Sequence, residues 1–210
     1  MKGFPKCVAL LGDVVRSRDS DRTRVHEALL NAIATCNKAH PPLDPLRVTV
    51  GDEVQGVYAT LGQAVAAMLM LRDELLGTAE VRCGLGGGDV QVIDAKRGIQ
   101  DGSAWWSARE AIERAETLSR QPGNRTSRTA LIDTRDVANP LTDPVLRMVD
   151  AALASLNPGA RRSWVHLRTG KDNATAAKLE GITPSANSQR INDHGLRPLA
   201  ALVEALVALP

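Results

Sequence analysis

Aromatic residues are scarce in this chain: three tryptophans, one tyrosine and one phenylalanine among 210 residues. A core built around large rings is therefore excluded. The 43% hydrophobic content has to supply it from Leu, Val, Ile and Ala instead. Cysteine is also rare. Cys7, Cys36 and Cys83 are odd in number, far apart and without a CxxC pair. That excludes a disulfide framework and a thiolate zinc site, and buried reduced thiols are expected. His26, His40, His166 and His194 show no metal-ligand spacing. No apolar run reaches the ~20 residues of a membrane span. The first apolar run is too short for a secretory signal and meets Asp13, so a cytoplasmic protein without a membrane partner is expected. A net charge of +2 does not by itself point to nucleic acid. The charge is uneven, however: from Asn157 onward seven basic residues stand against four acidic ones.

What the sequence does have is a pair of Gly-Asp steps, each at the end of an apolar run. Cys7–Leu11 leads into Gly12-Asp13, and Leu46–Val50 leads into Gly51-Asp52-Glu53. The first run is apolar throughout, as in a strand buried on both faces. Leu46, Val48 and Val50 alternate, as do Val54, Gly56 and Tyr58, so Gly51-Asp52 reads as a hairpin turn. Between these runs Val25, Leu29, Ile33 and Cys36 recur at helical spacing until Pro41-Pro42 stops the helix. A cap for that helix is expected at Asp19 or Ser20. Leu61–Leu76 reads as a second helix closed by Gly77. Val81–Leu85 and Val90–Ile93 read as two further strands. The Gly86-Gly87-Gly88 run between them serves either as a hairpin turn or as backbone open to a phosphate. Ser103–Ser119 reads as a third helix and Thr129–Ile132 as a short strand. From about Thr142 the chain is helical.

The order βαββαβ at the start predicts a ferredoxin-like α+β sandwich. Its central strands would bring Asp13 beside Asp52. Two carboxylates on neighbouring strands suit Mg²⁺ that arrives with phosphate oxygens. Gly12, Gly51 and Glu53, together with Arg16 from the loop after Asp13, are the candidate nucleotide contacts. Alternation along the strand turns Glu53 to the face opposite Asp52. Trp105 and Trp106 open the third helix, where one faces the core and the other is free to stack on a base or a partner. Arg109 either serves the site or pairs with Glu113 one turn on.

Four segments in order, Leu11–Val15, Val50–Glu53, Val81–Val90 and Asp101–Glu110, give the chain a resemblance to the SatD family. They also resemble the catalytic domain of class III nucleotide cyclases and GGDEF-type diguanylate cyclases. The resemblance spans roughly residues 6 to 120. It implies a cyclase palm-like fold with metal-binding aspartates at Asp13 and Asp52. It also implies a transition-state arginine at Arg109. The helical asparagine of those enzymes would fall at Trp105, a departure that predicts weak or absent cyclisation.

The last third resembles a bacterial helix-turn-helix. Asp172 or Asn173 caps one short helix, Gly181-Ile182-Thr183 makes the turn, and Pro184 opens the next helix. In that second helix Ser185, Asn187, Ser188, Gln189 and Arg190 are residue types that read base edges in DNA. Arg161, Arg162, Lys171 and Lys178 would hold phosphates. Two parts are thus expected: a palm-like domain over 1–140 and an all-α helix-turn-helix domain over 141–210. The preferred reading is a nucleic-acid-binding regulator, acting as a homodimer, whose palm-like domain binds a nucleoside triphosphate and Mg²⁺ or dimerises. An active nucleotidyl cyclase or nucleotidyltransferase, and a non-catalytic interaction protein, are the alternatives.

Overall fold

The computed structural model describes residues 3–15, 22–49 and 51–210. Strand β1 (Gly3–Val14) is followed by α1 (Arg22–Ala39), β2 (Asp44–Val48), β3 (Val54–Tyr58) and α2 (Leu61–Glu74). Next come β4 (Val81–Asp94), β5 (Ile99–Asp101), α3 (Ser103–Ser119) and β6 (Thr129–Asp133). Five helices close the chain: α4 (Thr142–Ser155), α5 (Pro158–Arg168), α6 (Asn173–Leu179), α7 (Pro184–Asp193) and α8 (Leu196–Val207). The sheet order is β2-β3-β1-β4-β5, with β6 parallel to β4 and every other pairing antiparallel. The ferredoxin-like core expected from the sequence is therefore present, with β1 at its centre.

Alternation along β1 sorts the two faces. Val8 and Leu10 join a cluster with α1 and α2, whereas Cys7, Ala9 and Leu11 face Ala104, Ala108 and Ile112 of α3. The α1 stripe is the expected one, with Val25, Leu29, Ile33 and Cys36 all buried. All three cysteines are free and buried.

The Gly86-Gly87-Gly88 run is not a turn. It lies inside one continuous strand, β4, and the second short strand of this region is β5 at Ile99–Asp101 instead. The reason is steric. Gly84 and Gly86 face the backbone of α3 so closely that a Cβ at either position would strike main-chain atoms of Ala104, Ala108 or Ile112. The glycines let a helix lie directly on a strand.

The helical third is not set apart from the sheet. One hydrophobic cluster runs from β1 and α2 through Leu146 and Trp164 to Leu196, Leu199, Val203 and Leu206. Deleting a fully buried side chain such as Trp164 from it would cost about 3–5 kcal/mol. The Leu61 and Gly62 amides at the start of α2 donate to the Pro210 and Leu209 carbonyls, which fastens the chain end to the palm-like part. Asp150 of α4 is buried and accepts from Arg72 at 2.6 Å and from the Arg128 and Thr129 amides at 2.8 and 2.7 Å. A carboxylate so enclosed is tolerable only because its lone pairs are matched. Among the described residues, no helix is long and apolar enough to cross a membrane.

Candidate functional site

The β1–β3 register pairs Gly12 with Val54, so the next step along both strands sets Asp13 opposite Glu53. Both side chains turn toward α3. Arg82, opposite Asp13 on β4, donates to Asp13 Oδ2 at 3.1 Å and lies 3.7 Å from Glu116 of α3. Glu53 takes both ends of the Arg109 guanidinium, at 2.9 and 3.0 Å. Glu53 therefore shares the face of Asp13, where the sequence pattern alone set it against Asp52. Arg109 is bound across the fold and not to Glu113 on its own helix.

Asp13 Oδ1 is buried and has no hydrogen-bond partner. Burial raises the pKa of Asp13 above its usual 3.8. Arg82 works against that shift, while Glu116, Asp52 and Glu53 reinforce it. Burial and the neighbouring carboxylates thus hold Asp13 against ionisation, the kind of perturbation that marks a candidate functional group. Arg109 has its pKa raised, first by the hydrogen bonds it donates to Glu53. Asp52 sits in the turn after Gly51, whose φ of +67° favours glycine, and it has no bonded partner among the described residues. Arg16 lies outside the described residues.

Gly12 serves packing. A Cβ there would come within 2.8 Å of Val54 Cγ2 and 3.3 Å of Val81 Cγ1, on the side away from Asp13. Trp105 packs half-buried against the α3-side cluster, with its indole N–H on Gln100 at 3.2 Å. Trp106 is 64% exposed, with its N–H on Asp101 at 2.8 Å. The two rings and Arg109 line a groove of about 660 Å³ whose floor includes Leu11 and Gln55. Arg82 and Glu116 were not singled out in the sequence. The pairing of β1 with β4 is what brings them in.

The base-reading candidates of α7 are placed differently. Helices α6 and α7 carry the expected Asp172 and Thr183 caps and Pro184 start. Asn187, however, is buried, and its amide is engaged by Ser163 at 2.7 Å and Asn173 at 2.8 Å. Arg190 lies over Gly159 and 3.6 Å from Glu180. Neither is presented to a groove. Ser185 and Gln189 are exposed and Ser188 partly so. The basic bias is largely satisfied within the fold. Arg161 and Arg168 share Asp73 at 3.0 and 2.9 Å, and Arg162 binds Glu180 at 2.6 Å.

The sheet order β2-β3-β1-β4 with helices packed on it defines a ferredoxin-like α+β protein. The chain belongs to the SatD family, which matches residues 7–137. No curated protein matches it. Among solved structures it is similar to the catalytic core of a rhodopsin-guanylyl cyclase with converted specificity. That likeness has 18% identity and a TM-score of 0.41, covering 51% of this chain and 72% of that one. It is also similar to a guanylyl cyclase domain from the aquatic fungus Blastocladiella emersonii, at 16% identity and a TM-score of 0.40 over 52% and 74%. A bacterial light-regulated adenylyl cyclase is similar at 17% identity and a TM-score of 0.40 over 58% and 73%.

Proposed function

We propose that this chain binds a nucleoside triphosphate together with Mg²⁺ at the end of β1, and that it does so as a regulatory, non-cyclising protein. The observation that carries this reading is the buried, partnerless Oδ1 of Asp13 among Asp52, Glu53 and Glu116. The donor set fits a phosphate-borne cation better than a resident one. The described residues hold no cluster of three carboxylate, histidine or cysteine groups able to cage a metal. Asp13 and Asp52 would supply two oxygens, and Mg²⁺ usually takes one or two protein carboxylates and completes its shell with phosphates and water. When bound, the ion would offset phosphate charge. Arg109, held by Glu53 at the groove edge, is positioned to exchange that carboxylate for phosphate oxygens. The Trp105–Trp106 groove offers an apolar surface for a base. Trp105 stands where the resemblance to cyclases implies an asparagine, which supports binding without ring closure. No observation favours α7 as a reader of DNA.

Calorimetry with ATP and GTP, with and without Mg²⁺, tests this reading. Mg²⁺-dependent binding should weaken by at least about tenfold in Asp13→Asn, the scale of losing a metal-shell group. Equal binding by both proteins contradicts the metal role. Rapid formation of cyclic nucleotide by the wild type would establish the cyclase alternative.

A further inference from the structure

A second cavity, of about 680 Å³, lies on the other side of the sheet, between the palm-like part and the added helices. Arg72 of α2, Leu76 of the turn after it and Arg128 of the 126–128 loop line one wall, and Leu153 of α4 with Arg161 and Arg162 of α5 line the other. That size is within the usual range for small-molecule pockets. The charges around it do not balance. Six guanidiniums (Arg72, Arg128, Arg161, Arg162, Arg168 and Arg190) are shared among four carboxylates. Asp150 takes Arg72, Glu80 takes Arg128, Asp73 is split between Arg161 and Arg168, and Glu180 takes Arg162 while also facing His166 and Arg190.

Arg161 carries the imbalance. Its side chain is 11% exposed, and its Nη1 is buried with no acceptor. Burial lowers its pKa, and the neighbouring Arg72 and Arg168 add to that effect against Asp73 and Asp150. A buried donor without an acceptor is costly, and a charged one more so. An anion entering from the cavity side would supply an acceptor.

We infer that this cavity binds a small amphipathic oxyanion: a carboxylate or phosphate group held by Arg161 at the arginine-lined wall, with an apolar body against Leu76, Leu153 and Leu156. Arg161 keeps its Nη2 on Asp73, so its Nη1 offers a single charge-assisted hydrogen bond to either headgroup. The walls supply both halves of the ligand: charge from α2 and α5, apolar surface from α4 and the α4–α5 turn. The site is separate from the Asp13 edge and needs no metal.

The test is calorimetric titration of the full chain in EDTA with phenyl phosphate, 3-phenylpropionate and, as the neutral control, 2-phenylethanol. At least one anion should bind at or below about 1 mM, the weak end of specific binding. The tighter of the two identifies the headgroup. Arg161→Gln should weaken it by about tenfold or more, as expected for a lost charge-assisted hydrogen bond. Because Arg161→Gln also releases Asp73 and could fail to fold, Ala154→Trp is the second variant. Ala154 is exposed at the cavity rim, so the indole should block entry and abolish binding without disturbing the core. No heat from either anion, equal binding of the neutral alcohol, or unchanged binding in Ala154→Trp would each overturn the proposal.

Discussion

Arg109 and Glu53 are 56 residues apart in sequence and are joined by two hydrogen bonds, of 2.9 and 3.0 Å, that tie α3 to the β2–β3 hairpin. Arg109 is half exposed, so the pair adds less than about 1 kcal/mol to stability. Its larger effect should be on binding. Glu53→Gln removes a negative charge beside the phosphate site and loosens the hold on Arg109. Triphosphate affinity should rise severalfold, while Arg109→Ala should lower it. Calorimetry with Mg²⁺ and ATP measures both. Weaker binding in Glu53→Gln would mean that Glu53 is itself a ligand.

Asp13 gives a pH signature. Its pKa is raised in the fold, so the folded chain holds that proton more tightly than the unfolded chain does. The stabilising contribution is complete below the usual 3.8 and is lost as pH rises through the folded value. Asp13→Asn should therefore raise the melting temperature at neutral pH, with the gain vanishing in the acid range below that value. Mg²⁺ with ATP should stabilise the variant less than the wild type at the same ligand concentration. Calorimetric scans across pH check this, and a variant less stable than wild type at pH 7 would contradict it.

Asp150 should behave as a buried keystone. Its partners Arg72, Thr129 and the Arg128 amide lose their acceptor together in Asp150→Ala. Breaking a buried pair of this kind costs about 3–5 kcal/mol. Urea denaturation should show that loss with an unchanged slope. A cost below about 1 kcal/mol, the surface-pair range, would show that water replaces the carboxylate.

Asn187 separates packing from nucleic-acid recognition. Asn187→Ala removes the partner of Ser163 and Asn173 in a buried site, at about 1–3 kcal/mol. The expected result is a lower melting temperature with no change in affinity for a random DNA pool. Loss of sequence preference with unchanged stability would restore the reading role of α7.

The three thiols provide a direct probe of burial. Burial pushes Cys7 up to about 11 and Cys36 and Cys83 up to about 12. At pH 8 none is appreciably thiolate, so the native protein should resist a thiol-disulfide reagent and react at all three sites once unfolded. Rapid labelling of one thiol in the native state would mean that part of the core opens.

What could be read in the sequence was set by short-range pattern. The α1 stripe, the Pro184 start of α7 and the Gly51 turn each depend on residues within a few positions. The site depends on pairing across the sheet, and one step of strand register decides which face a carboxylate takes. Alternation counted from Asp52 placed Glu53 away from the site, whereas pairing with β1 places it beside Asp13. The basic bias of the tail misled for a similar reason. Asp73 and Glu180, which take Arg161, Arg162 and Arg168, are remote in sequence or fall on another helix. The glycine run suggests a turn or a phosphate-facing backbone in sequence, because its actual cause, a helix lying against the strand, is invisible in one dimension.

That contact between bare strand and helix also sets a mechanical tolerance. Side chains between a helix and a sheet act as cushions that repack when the helix shifts. At Gly84 and Gly86 there is no cushion, and the backbone of α3 rests on the backbone of β4 as on a hard stop. The same helix carries Trp105, Arg109 and Glu116, and the same strand carries Arg82. Arg82, Arg109 and Glu116, the groups around Asp13 on these two elements, are therefore mounted on two rails with no vertical play, while the hairpin bearing Asp52 and Glu53 is fastened to them through Arg109.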